Sequence, residues 1–286
     1  MIIMIYADHN YHNNPWSILL KMLSMRLVPF WTIGIGLLIS SLPACHQSTP
    51  TRFERLSSDH THVTFNNSLT PTERLNGFTF TNFYNGGGVG VGDVNNDGLV
   101  DLVFTGNQVS CQLYLNQGKQ GEKAFSFEDI TQSAGLTTNR WCSGVAMVDV
   151  NQDGWLDMYI SVASHPALKH TENLLFINQG LKNGKPVFKE MAADYGLADP
   201  AFTTQSAFFD YDRDGDLDVF LLNTAPDFQN PAHVRPVVAD GSHPSTGKLY
   251  RNDGVGTKGH PVFKDVSKEA GITYDGLGLG LVISDF

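Results

Sequence analysis

Short apolar runs recur along this chain, each cut off by a cluster of Asp, Asn and Gly, and none carries a sustained helical period. Ahead of each acidic cluster stands a run with small residues at alternating positions: Gly88, Gly90 and Gly92, then Gly144 and Ala146, then Ala207, then Gly278 and Gly280. Glycine inside a strand marks the close approach of another backbone. The run after each cluster (residues 102–104, 158–160 and 219–222) is apolar on both faces, as expected of a strand held between two layers. A third run ends in a turn, at Asn116 and Gly118, Asn178 and Gly180, and Asn252 and Gly254. A fourth opens at Phe127, Phe188 and Phe263 and is trailed by Gly135 and Leu136, Gly196 and Leu197, and Gly271 and Ile272. Two further strands are predicted earlier, over residues 63–65 and 78–83.

Four strands per unit make a β-propeller blade, with the glycine-rich strand innermost where blades crowd together. The predicted fold is therefore all-β, built of four-stranded blades. The first Asp of each acidic cluster, at Asp93, Asp149, Asp210 and Asp285, is separated from the next by 56, 61 and 75 residues. Motifs that persist while their spacing grows indicate repeated units with insertions between strands.

The clusters themselves share one spelling. Residues 93–101 read D-V-N-N-D-G-L-V-D, residues 149–157 read D-V-N-Q-D-G-W-L-D, and residues 210–218 read D-Y-D-R-D-G-D-L-D. Oxygen ligands at positions 1, 3, 5 and 9, a backbone carbonyl at 7 and a turn-forming Gly at 6 suit a hard cation such as Ca²⁺. The candidate ligands are Asp93, Asn95, Asp97, Leu99 and Asp101 in loop 1, and Asp149, Asn151, Asp153, Trp155 and Asp157 in loop 2. Loop 3 offers Asp210, Asp212, Asp214, Asp216 and Asp218, with Asp216 giving its backbone oxygen while its side chain points away. An EF-hand differs, since it closes on Glu at position 12 and is flanked by helices. A bare Asx-Gly hairpin turn needs no carboxylate at position 9, so the three repeats favour metal over turn.

Composition changes this picture little. The net charge is -10, but the three complete loops hold eleven Asp residues, so the remainder is close to neutral. With no basic stripe to meet phosphates, nucleic acid is excluded as a partner. Residues 1–45 read as an export signal: Lys21 and Arg26 precede an apolar run over 27–41 that is too short to span a membrane comfortably. It ends in Leu42, Pro43, Ala44 and Cys45, which resembles a bacterial lipobox with Cys45 as the lipidated residue. His46 rather than Asp at the next position points to the outer membrane, and residues 1–21 also read as an over-extended gene start, in which case Arg26 alone supplies the basic flank. Residues 46–58 form a Ser/Thr-rich tether. Membrane contact is expected through the lipid alone. Cys111 and Cys142 fall on predicted strands of adjacent units, where a disulfide and a pair of buried free thiols remain equal alternatives.

No catalytic constellation emerges. The histidines are scattered, and His60 and His62 read as solvated loop residues. No G-x-S-x-G elbow, P-loop or dinucleotide fingerprint is present. The stretch between Asn223 and Lys248, with Pro226, Pro231, Pro236 and Pro244, reads as a solvent-exposed insertion.

The D-x-[ND]-x-D-G-x-x-D loops and their flanking strands resemble the FG-GAP/VCBS repeats of integrin α-subunit propellers. The glycine run at 86–92 and the recurring Leu-Tyr-x-Asn and Phe-x-Asp-[Ile/Val]-[Thr/Ser] signatures are similar, more narrowly, to bacterial relatives of the cartilage acidic protein family. That resemblance covers about residues 60–286 and implies a seven-bladed propeller with calcium in its blade loops, commonly followed by a further domain. It implies no settled activity. Against seven blades, residues 59–286 supply about three complete blades and the start of a fourth, whose loop opens at Asp285, so a partial propeller is expected. The functional expectation is a non-enzymatic, calcium-stabilised module that binds a protein or carbohydrate ligand at the cell envelope. A propeller enzyme acting on polysaccharide and a subunit of an envelope assembly are the alternatives.

Overall fold

A computed structural model describes residues 53–119, 124–225 and 236–284. Cys45, the export signal, most of the tether and Asp285 lie outside the described residues. Among the described residues, the folded unit that begins at Ser58 contains twelve strands in three four-stranded antiparallel sheets, each a meander in chain order. Blade 1 comprises β1 (Val89–Gly92), β2 (Asp101–Phe104), β3 (Gln112–Asn116) and β4 (Phe127–Asp129). Blade 2 comprises β5 (Cys142–Val148), β6 (Asp157–Val162), β7 (Leu174–Lys182) and β8 (Lys185–Glu190). Blade 3 comprises β9 (Thr203–Phe209), β10 (Asp218–Asn223), β11 (Lys248–Val255) and β12 (Pro261–Asp265). The fold is all-β, as the four-run pattern predicts.

The inner strands β1, β5 and β9 lie side by side, and there the glycines are required. A Cβ on Gly144 would stand 2.9 Å from the Thr204 carbonyl oxygen, and one on Gly88 would stand 3.1 Å from the Cα of Gly144. The second and third strands of blade 2 are buried on both faces, and their alternation divides two cores. Met158, Ile160, Val162, Leu174 and Phe176 join blade 1 residues, while Tyr159, Leu175 and Ile177 join blade 3 residues. Each burial of a large apolar side chain contributes about 1.5–3 kcal/mol, so stacking of neighbouring blades is what holds each sheet.

The Gly-Leu signature after the fourth strand closes each interface. One helical turn, α1 (Thr131–Ala134), ends at Gly135 with φ 78°, and a second, α2 (Ala192–Tyr195), ends at Gly196 with φ 78°. Glycine adopts this left-handed cap without steric cost. The residue after it, Leu136 or Leu197, is fully buried in the adjoining core. The Asp129 carboxylate accepts from the Thr131 amide (3.0 Å) and hydroxyl (2.6 Å), and Asp265 repeats this at Ser267.

Several expectations are corrected. Residues 63–65 and 78–83 form no strand. Asn76 instead turns the chain, accepting from the amides of Phe78 (2.8 Å) and Thr79 (3.2 Å), and residues 81–84 form a 3-10 turn. Phe80 and Phe83, three apart, are thus buried together against Trp141 while Phe78 is exposed. Asx-turn chemistry outcompetes the apolar alternation here. The fourth glycine-rich run is not a strand either. No described strand pairs with it, and its anchor is Thr224 Oγ1, which donates to the Gly278 carbonyl at 2.7 Å. His60 and His62 are not free loop residues: His60 Nε2 lies 2.7 Å from the Ala124 carbonyl and His62 Nδ1 lies 3.1 Å from Ser126 Oγ, so both fasten the preceding segment to blade 1. Cys111 precedes β3 and Cys142 begins β5. Both are fully buried in the first inter-blade core as free thiols, and Cys142 Sγ donates to the Arg140 carbonyl at 3.6 Å. Within the insertion after β10, residues 226–235 lie outside the described part, but the remainder is not simply solvated. Val238 and Gly241 bond the 273–275 segment, and Ser245 and Thr246 are buried.

Candidate metal centres

Each acidic loop joins the inner strand of a blade to its second strand, and all three fold alike. Position 4 is left-handed at Asn96 (φ 56°), Gln152 (φ 57°) and Arg213 (φ 66°), as is the Gly at position 6. The chain thus coils tightly enough for its amides to meet its own acids. Asp93 accepts from the amides of Asp97 (3.2 Å) and Gly98 (2.7 Å), Asp149 from Asp153 (3.0 Å) and Gly154 (2.8 Å), and Asp210 from Asp214 and Gly215 (both 3.2 Å). At position 5, Asp97, Asp153 and Asp214 each accept from the amide two residues on.

The ninth position is of another kind. Asp101, Asp157 and Asp218 are buried at 1%, 0% and 0% exposure. Each is held by two backbone amides, one from loop position 2 and one from the third strand of its own blade. Asp101 accepts from Val94 (2.9 Å) and Asn116 (2.8 Å), Asp157 from Val150 (3.1 Å) and Asn178 (2.7 Å), and Asp218 from Tyr211 (2.6 Å) and Asn252 (2.8 Å). Among the described residues no Lys or Arg pairs with any of the three. Burial, followed by the neighbouring loop carboxylates, therefore pushes Asp101 up to about 6 and Asp157 up to about 7, and raises Asp218 as well. A cation relieves that kind of shift.

Asn116, Asn178 and Asn252 are functional positions that residue-by-residue reading passed over as turn residues. Each uses its backbone amide on the closing Asp, its side-chain oxygen on the amide of Gly118, Gly180 or Gly254, and its side-chain NH₂ on a loop carbonyl. Their recurrence two residues before a Gly in every blade was the available signal.

The loops differ in how far their acids converge. In loop 3, carboxylate oxygens of Asp210, Asp212 and Asp218 lie within 4.8 Å of one another, so this cluster can hold a metal ion. Asp214 is outside that group. The Asp216 side chain is likewise outside the group: burial and Asp214 beside it push it up to about 6, and its Oδ1 is buried without a hydrogen-bond partner. In loops 1 and 2 an Asn holds position 3, and its amide NH₂ satisfies the fifth-position acid: Asn95 to Asp97 at 2.8 Å and Asn151 to Asp153 at 2.9 Å. Turning either amide over exchanges that NH₂ for a carbonyl oxygen, the donor a cation needs. The donor set in all three loops is oxygen alone, and with the unpartnered Asp216 oxygen it fits a hard divalent ion.

Residues 93–160 match the family described as FG-GAP-like repeat. The chain is also 28% identical over 210 residues to cartilage acidic protein 1 of Xenopus tropicalis, an alignment that takes in 72% of this chain and 28% of that protein. The chain therefore spans well under half the length of the relative it matches.

Proposed function

We propose that this chain, which carries FG-GAP-like repeats, is a non-enzymatic binding module whose blade loops hold calcium. The convergence of Asp210, Asp212 and Asp218 carries this reading, and the same coiled backbone in loops 1 and 2 extends it to three sites. Calcium would be held by side-chain oxygens at positions 1, 3, 5 and 9 and by the carbonyls of Leu99, Trp155 and Asp216. Its role is to neutralise buried like charges and fix the loops that join inner to second strands. The blades then present a rigid surface to a protein or carbohydrate ligand.

Calorimetric titration of the chelator-stripped protein with CaCl₂ should reveal saturable binding in the range of about 10⁻⁴ to 10⁻³ M typical of extracellular modules. Asp210→Asn combined with Asp214→Asn should abolish the loop 3 share. A flat thermogram up to several millimolar would refute the calcium reading.

The same reading places the module at a bacterial cell envelope, tethered to the outer membrane by a diacylated Cys45. What supports it is the basic, apolar and small-residue order that ends in Leu42, Pro43, Ala44 and Cys45. Labelled palmitate should be incorporated into the wild-type protein in cells and not into Cys45→Ser. Equal labelling of the two would remove the anchor.

A further inference from the structure

The three loops are not isolated from one another. Asn96, at position 4 of loop 1, donates its side-chain NH₂ to the carbonyl of Gly154, at position 6 of loop 2, at 3.0 Å. Gln152, at position 4 of loop 2, does the same to Gly215, at position 6 of loop 3, also at 3.0 Å. Both donors stand at the left-handed fourth position of their loops. A second tie runs beneath the first. Asn178 in blade 2 donates its NH₂ to the carbonyls of Val94 in loop 1 (2.9 Å) and Leu156 in loop 2 (3.2 Å), while its amide holds Asp157.

These contacts join residues that directly adjoin the candidate ligand positions. Asn96 lies between Asn95 and Asp97, and Gln152 lies between Asn151 and Asp153, the third- and fifth-position ligands of their loops. Each accepting Gly immediately precedes the residue whose carbonyl is the seventh-position ligand, Trp155 or Asp216. We infer that the position-4 side chains Asn96 and Gln152 relay order from one loop to the next, so that a cation bound in one blade raises the affinity of its neighbour. The inference rests on the calcium reading above. An ordered loop presents its neighbour with a fixed acceptor and lowers the entropy the neighbour loses on binding, and linkage makes the effect reciprocal. One net hydrogen bond sets the scale, which corresponds to a coupling of roughly two- to tenfold per junction.

Terbium provides the test, because Trp155 can sensitise its emission from loop 2. The full chain is titrated with Tb³⁺ in four forms: wild type, Gln152→Ala, the exposed pair Asp210→Asn with Asp214→Asn, and all three substitutions together. Circular dichroism checks that each form is folded. Disabling loop 3 should weaken terbium binding at loop 2 by roughly two- to tenfold when Gln152 is present and leave it unchanged when Gln152 is alanine. The same fold-change in both backgrounds, or none in either, overturns the relay while leaving the calcium reading intact. Absence of any sensitised emission from the wild type overturns both.

Discussion

Replacing Asp157 with alanine is expected to cost about 2–5 kcal/mol of folding stability in calcium-free buffer, a large share of the 5–15 kcal/mol typical of a whole domain. The reason lies in the partners left behind. Asp157 is fully buried and accepts from the amides of Val150 (3.1 Å) and Asn178 (2.7 Å). Alanine offers neither an acceptor, so two buried donors lose their bonds at about 1–3 kcal/mol each. Asn178 also reaches the carbonyls of Val94 and Leu156, so the damage spreads to loop 1 and the first blade junction. Relief of the buried charge, which already pushes the Asp157 carboxyl up to about 7, offsets part of the loss. The exposed Asp153, whose contacts stay within its own loop, should cost under about 1 kcal/mol as alanine in the same buffer. Urea unfolding in EGTA measures both. An unchanged midpoint for Asp157→Ala would show that the ninth position is not a structural clamp.

Calcium removal is expected to act on the same scale through a different route. A site with Kd of about 10⁻⁴ M gains about 1.4 kcal/mol in millimolar calcium, so three sites together contribute roughly 4 kcal/mol. For a unit of this size each kcal/mol moves Tm by about 2–4 °C, so EGTA should lower Tm by roughly 8–16 °C. Magnesium should not restore it, because these loops supply flexible carboxylate and carbonyl oxygens rather than the compact octahedron magnesium demands. Superimposable calorimetric scans with and without EGTA would contradict a stabilising role for the ion.

The two effects differ in origin. Asp157 is wired to the backbone whether or not a cation is present, whereas Asp93, Asp97, Asp149 and Asp153 bond only within their exposed loops. Position 9 therefore serves as a backbone clamp in its own right and, on the proposed calcium reading, as a ligand as well. The spelling of the motif, which treats its acids at positions 1, 5 and 9 alike, conceals that division of labour.

Strands and loops were legible because both are written in local patterns. Residues alternating along a strand face opposite layers, and a Gly at position 6 permits the tight turn that coils each loop back on its own acids. For this reason the twelve described strands and three loops fall where the apolar runs and Asp clusters predict. Local rules also explain the miss at residues 78–83, where the Asn76 turn and the Phe80 and Phe83 spacing overrode an apparent alternation.

What only the tertiary structure decided is everything that depends on one blade meeting the next. The bond from Asn96 to Gly154 spans 58 positions and that from Asn178 to Val94 spans 84, and no periodicity or turn propensity carries information over such a separation. The same holds for the two thiols of Cys111 and Cys142, brought together in a shared core, and for His60 and His62, drawn onto blade 1. Composition and spacing determined which residues could bind an ion and which would be buried. The stacking of sheets, driven by the apolar faces they bury in common, determined which of those residues touch.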